Sequence, residues 1–148
     1  MKPPKHKPFV EKSVGAALSA IEIYNKPDFK YREETFAILM INSWELLLKA
    51  KIIKENGGNL KSIYLMTNKV GKKGNKLKTL TPELNRSNNP KTIGLPKCLN
   101  LCEQPPINLS TVVKENVFLL MEIRDTAIHF QHSDLYLSKK VFEIGTAS

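Results

Sequence analysis

An arginine, an aspartate and a histidine fall within six residues in Arg124-Asp125-Thr126-Ala127-Ile128-His129, set inside the apolar run from Val112 to Phe130. Charged and imidazole groups are costly on a segment that packs against a core, where apolar side chains give up less solvation. Histidine is the side chain whose ordinary pKa lies nearest neutrality, and arginine is a permanent, forked cation. Together they offer a proton-transfer group beside a clamp for phosphate oxygens, a combination that on a basic protein points toward RNA cleavage without a metal. The ribose 2′-hydroxyl must lose a proton, the charge growing on the phosphate must be stabilised, and the leaving 5′-oxygen must gain a proton. His129 can act as general base or acid. Arg124 can hold two phosphate oxygens in the transition state. Asp125 can orient either partner or cap local backbone groups.

Spacing sets a condition on this chemistry. Positions five apart on a helix diverge by about 140° and lie about 7.5 Å apart along its axis. Arg124 and His129 therefore converge only if the helix ends or bends near His129, or if two subunits share the site. The plainer reading of the same residues is an arginine ion-paired to a neighbouring helix and a helix-terminal histidine facing solvent.

The elements that must position these residues are mostly helical. Residues 1–13, with three prolines and four lysines, read as a flexible basic tail. From Val14, the apolar positions Val14, Ala17, Leu18, Ile21 and Tyr24 predict an amphipathic helix stopped by Asn25-Lys26-Pro27. A second helix is predicted from about Tyr31 to Glu55, with Phe36, Leu39, Met40, Ser43, Trp44, Leu47, Ala50 and Ile53 as its stripe and Gly57-Gly58 as its stop. Trp44, with Leu47 and Leu48, reads as core. Residues 59–108 lack long periodicity and read as an insertion. Within it Ser62–Thr67 and Lys76–Leu80 form a candidate β-hairpin, and a short helix is expected between Thr92 and Leu101. Asn108 or Ser110 can cap a third core helix to about Phe130, with Val113, Val117, Leu120, Arg124 and Ala127 along one face. Leu137, Val141 and Ile144 suggest a fourth from about Asp134, with Gly145 as its cap. The chain stops three residues after Gly145, which leaves room for a longer protein. The fold class expected is therefore all-α, a bundle with a long basic insert between helices 2 and 3.

Charge is distributed unevenly along these elements. Of the formal net charge of +9, residues 54–97 carry ten Lys and Arg against two acids, and residues 1–13 carry four Lys against one Glu. Residues 14–53 balance, and residues 98–148 are acidic by two. The positive field thus belongs to the insert and the tail. It is either a solvated surface or a patch that attracts phosphate and loses affinity steeply with salt. In the second case Lys72, Lys73, Lys76, Lys78 and Arg86 are the RNA-binding candidates.

No apolar run approaches the roughly 18 residues of a membrane span. The basic N-terminus lacks the apolar segment of a secretion signal, and two cysteines, Cys98 and Cys102, point to a reducing, cytoplasmic setting. His129, His132 and Asp134 have the spacing of a partial metal site but lack a third strong ligand, so no metal or other cofactor is expected. Val70-Gly71-Lys72-Lys73-Gly74 lacks the spacing of a phosphate-binding P-loop. His6 lies in the tail and is given no role.

The stretch Ala16–Pro27 followed by Arg32-Glu33-Glu34-Thr35-Phe36, the segment Ile41–Lys51, Asn85-Arg86-Ser87 and Glu122–Phe130 together resemble a bacterial family, domain of unknown function 3644, from about Ser13 onward. That family is similar to the HEPN superfamily, the domain shared by higher eukaryotes and prokaryotes. The resemblance implies a bundle of four or five helices carrying Arg, four to six residues, then His on a late helix. It implies metal-independent endoribonuclease activity in many members, and a homodimer in which two copies of the motif face one another. Arg124 and His129 match the motif, and Asp125 matches the polar residue that often follows the arginine. Asn42 and Glu45, on the second helix, are read as supporting residues, although Glu45 lies off the centre of the apolar stripe and a solvated or ion-paired glutamate is its plainer reading. Some members of the superfamily are toxins paired with a small nucleotidyltransferase antitoxin partner or act in phage defence. Others have lost activity and bind RNA or a protein partner. A scaffold whose basic loop meets an acidic protein is a further reading.

Overall fold

The computed structural model describes residues 1–129, 143 and 144. Four helices are formed among them: α1 (Lys7–Tyr24), α2 (Arg32–Glu55), α3 (Leu95–Glu103) and α4 (Thr111–His129). Between α2 and α3 lie a short 3-10 turn (Leu60–Ile63) and a two-stranded antiparallel sheet of β1 (Met66–Val70) and β2 (Lys76–Pro82). The all-α expectation is thus overturned: the protein is mostly helical and carries a sheet. Residues 66–82 interleave Thr and Val with lysines around Gly71 and Gly74 and offer no apolar helical face. Their backbone groups find partners across a hairpin instead.

Helix α1 starts at Lys7, with Pro8 in its first turn, where the missing N–H costs nothing. Residues 7–13, assigned by composition to a tail, are therefore helical. The expected stripe of α1 is also displaced. Val14, Leu18 and Ile21 are about half exposed, whereas Ser13 and Ala20 are buried. The small residues let α1 approach α2 closely, and the contact is closed by a reciprocal hydroxyl pair. Ser13 Oγ donates to the Ser43 carbonyl and Ser43 Oγ to that of Ser13, each at 2.8 Å. Hydropathy counting favours bulky residues and misses such an interface.

Helix α2 is the central element, packing against α1, α3 and α4. It stops where Gly57 and Gly58 take left-handed backbone angles, φ +67° and +82°. Gly58 N–H then donates to the Ile53 carbonyl at 2.8 Å and Gly57 N–H to that of Lys54 at 3.2 Å, a Schellman closure. The core lies between α2, α3 and α4, with Ile41, Leu48 and Ile53 facing Leu99 of α3 and Val117, Leu120 and Ile123 of α4. Ser110 Oγ accepts from Val113 N–H at 3.3 Å and caps α4.

The hairpin pairs Met66 with Pro82, Thr67 with Thr81, Asn68 with Leu80 and Val70 with Lys76, with an irregularity between Asn68 and Val70. Its first strand begins four residues later than composition suggests, because Leu60–Ile63 winds into the 3-10 turn. At the tip, Gly71 N–H donates to the Asn75 carbonyl at 2.8 Å. A Cβ on Gly71 would meet Asn75 Oδ1 at 2.7 Å, so a larger residue there requires the Asn75 side chain to turn aside. At its base, the segment is tied back to the bundle by Ile93 N–H donating to the Ile63 carbonyl at 2.9 Å. The helix expected from about Asp134 lies outside the described residues, except that Glu143 and Ile144 are helical and Ile144 packs on the core.

Candidate functional site

Helix α4 positions Arg124, Asp125 and the backbone of His129. Its inner face is set by Val117, Leu120, Ile123 and Thr126, all buried. Phe118, Glu122 and Asp125 occupy the outer face, spaced by four and three residues, and position 129 continues that line by four more. Arg124 sits at the border of the two faces with about a third of its side chain exposed. Its guanidinium reaches outward, and Nε and Nη2 both donate to Asp125 Oδ1 at 3.1 Å. The cation is thereby held within its own helix, at the foot of the line that contains position 129. The side chain of His129 lies outside the described residues, as do His132 and Asp134. Among the described residues, no group of three or more His, Cys, Asp or Glu comes together to hold a metal ion.

The two supporting candidates are placed differently from one another. Asn42 is exposed on α2. Glu45 Oε2 lies 3.2 Å from Lys49 Nζ, and that ammonium also donates to Thr92 Oγ1 at 2.8 Å. The Lys49 side chain is only 8% exposed, so Glu45 supplies the countercharge of a buried cation. This gives Glu45 a structural task, tying α2 to the end of the insert. Lys49 itself escaped sequence reading because its neighbours hid it in an apolar helix; a lone lysine between Leu48 and Ala50 is the signal available.

The basic candidates gather on the hairpin. Lys72 and Lys73 sit at its tip and Lys76 and Lys78 on β2, and Lys69 on β1 joins them as a residue that the sequence reading passed over. Its signal was the alternation of Lys69 with Val70 on a β-forming run. All five are exposed, and no residue of β1 is buried on either face. No Asp or Glu occurs between Asn56 and Pro82, so nothing local neutralises this arm. Arg86 is exposed in a separate turn, Asn85–Asn89, in which Asn85 Oδ1 accepts the N–H groups of Ser87 and Asn89. That turn follows Glu83, which is ion-paired to Lys91 at 2.6 Å.

Cys98 and Cys102 are free thiols on the buried face of α3. Burial pushes Cys98 up from its ordinary value of 9.0 to about 12, against the opposing pull of Lys49, and burial raises Cys102 as well. Buried and held neutral in this way, both thiols serve as small apolar packing groups of the core.

The described structure is thus that of a mostly helical domain with a cationic β-arm and an outward-facing Arg–Asp pair on its last described helix. The family model of domain of unknown function DUF3644 matches residues 8–148, and the chain belongs to that family. Comparison with curated proteins and with solved structures returns no match. Among the described residues, no helix is long and apolar enough to cross a membrane.

Proposed function

We propose that the protein is a metal-independent endoribonuclease of HEPN type, with His129 as general acid and base and Arg124 stabilising the scissile phosphate. The observation that carries this reading is the direction of Arg124. Among the described residues, its fork is drawn to Asp125, one turn before position 129 on the same face. The angle between Asp125 and position 129 is about 40°, against about 140° for Arg124 and position 129, so this side-chain path reduces the divergence that spacing imposes. Two copies arranged about a two-fold axis along the outer face of α4 would complete the site. Phe118, 44% exposed on that face, supplies apolar surface for such a contact.

The lysine arm supports the choice of RNA as substrate, because an unneutralised cationic ribbon attracts a phosphate backbone. A toxin or phage-defence effector in the cytoplasm, restrained by an antitoxin or nucleotidyltransferase partner, is the setting we assign, and the free thiols agree with a reducing compartment. The test compares wild type, Arg124→Ala and His129→Ala on mixed RNA in EDTA. Wild type should cut and each variant should lose at least about a hundredfold in rate. Intact RNA with wild type, or undiminished cutting by both variants, would overturn the assignment. A non-catalytic RNA-binding module is the second reading. The exposed arm favours it, since five lysines can hold RNA without Arg124 or His129; it is the outcome if binding is salt-sensitive and cleavage is absent.

A further inference from the structure

The turn between α1 and α2 forms an open groove of about 300 Å³ lined by Asp28, Phe29, Lys30, Arg32 and Glu33. Arg32 closes the turn by donating from Nη2 to the Lys26 carbonyl. Its Nε is buried and finds no acceptor among the described residues. A guanidinium donor stripped of water and left without a partner is costly, and a ligand that brings an anionic oxygen into the groove removes that cost. Lys30 adds a second cation. Phe29 presents a partly exposed ring, with Lys26 Nζ 5.9 Å from its centre. Asp28, exposed at the turn, offers a carboxylate that can only accept hydrogen bonds when ionised. The turn is held by the chain's own hydrogen bonds: Asn25 N–H and Nδ2 both donate to the Ile21 carbonyl, and Thr35 Oγ1 donates to that of Tyr31 at 2.6 Å.

An aromatic ring, a pair of cations with one unsatisfied donor, and an acceptor at the rim are the groups that bind one unstacked nucleotide. The groove is of a size to hold one base beside the Phe29 ring. We infer that this groove is a nucleotide subsite, in which Phe29 stacks the base, Arg32 and Lys30 hold its phosphate, and Asp28 accepts from the base edge. This deepens the ribonuclease reading and rests on it for the choice of RNA. The carboxylate selects among bases. Guanine presents an imino and an amino donor side by side, whereas uracil presents one donor flanked by two carbonyl acceptors that repel a carboxylate. The site therefore prefers guanosine in an unpaired stretch of RNA.

The test uses the full chain bearing His129→Ala, so that binding is measured without turnover. Guanosine 5′-monophosphate, uridine 5′-monophosphate and inorganic phosphate are titrated by calorimetry, and amide shifts are mapped by NMR. The guanosine nucleotide should bind at least about tenfold more tightly than the other two, with shifts centred on residues 26–33, which is about 1.4 kcal/mol of selectivity. Phe29→Ala and Arg32→Gln should each weaken it about tenfold or more. If Arg32→Gln fails to fold, Phe29→Ala and the shift map decide the matter. Equal binding of both nucleotides, phosphate binding as tightly as either, or shifts elsewhere would overturn the subsite. Cleavage by wild type without nucleotide binding sinks the subsite alone, and nucleotide binding without cleavage sinks the ribonuclease reading alone.

Discussion

Arg124 gives two nitrogens, Nε and Nη2, to a single oxygen of its sequence neighbour Asp125, both at 3.1 Å. Adjacent positions on a helix do not face each other, so the arginine chain must bend across the surface of α4 to reach it. An exposed pair of this kind adds little to stability. Its consequence is orientation, because the aspartate chooses one of the many directions a free arginine could take.

That relationship makes a prediction about cooperation between the two. Asp125→Asn should lower RNA cleavage by about tenfold while leaving folding intact. The double variant with Arg124→Ala should be no slower than Arg124→Ala alone, since the aspartate acts through the arginine. Arg124→Lys keeps the charge but loses the fork, and should remain about a hundredfold impaired. Single-turnover rates on one RNA decide all three; additive losses would mean that Asp125 acts independently.

The lysine arm should set affinity and its salt dependence without touching the bundle. Replacing Lys69, Lys76 and Lys78 together by Ala removes three candidate phosphate contacts. The slope of log affinity against log salt should become shallower by about 2 to 3. Because these side chains are exposed, stability to urea should change by no more than about 0.5 kcal/mol. An unchanged slope would place RNA elsewhere on the protein.

Lys49 is the buried charge on which α2 and the end of the insert agree. Glu45→Ala strips away its countercharge and should cost about 1–3 kcal/mol in denaturant unfolding, tempered by the partial exposure of Glu45. Lys49→Met removes the charge instead and should be close to neutral. The same Glu45 variant separates two roles: a loss of stability with cleavage per folded molecule retained excludes Glu45 from the site.

The boundaries of α2, its Gly57-Gly58 stop and the Ser110 cap of α4 were legible because each is local chemistry, whereas Arg124, read on the same face as Val117 and Leu120, lies at the border of that face and turns to Asp125. A glycine that must take positive φ, or a serine three residues before a helical N–H, announces itself in a single sequence. The α1 interface was not legible, since Ser13 and Ala20 carry no hydropathic signal and their value depends on how near α2 can come. Nor was the burial of Lys49, which needs Glu45 one turn away and Thr92 brought in from across the insert. The orphan Nε of Arg32 is of the same kind: no pattern of letters reveals a missing acceptor.

The thiols yield a pH prediction. Cys98 has its folded pKa raised by burial, so its contribution is fully present below the ordinary value of 9.0 and is lost as pH rises toward about 12. Unfolding midpoints should therefore fall across that alkaline window, and Cys98→Ala should flatten the fall. Native protein should also resist thiol-specific reagents near neutral pH, with both cysteines labelled only after denaturation. Rapid labelling of folded protein would contradict the burial that holds the thiols neutral.

The hydrogen bond from Ile93 to Ile63 has a consequence of another kind. The chain leaves the bundle and returns to it at one place, so everything between is a cassette on a single mount. Such a head can be shortened, lengthened or exchanged for another by joining the ends at that mount, while the Arg–Asp pair on α4 is left undisturbed. Members of the family could then share one helical body and differ in the head it carries, with surface charge evolving separately from the core.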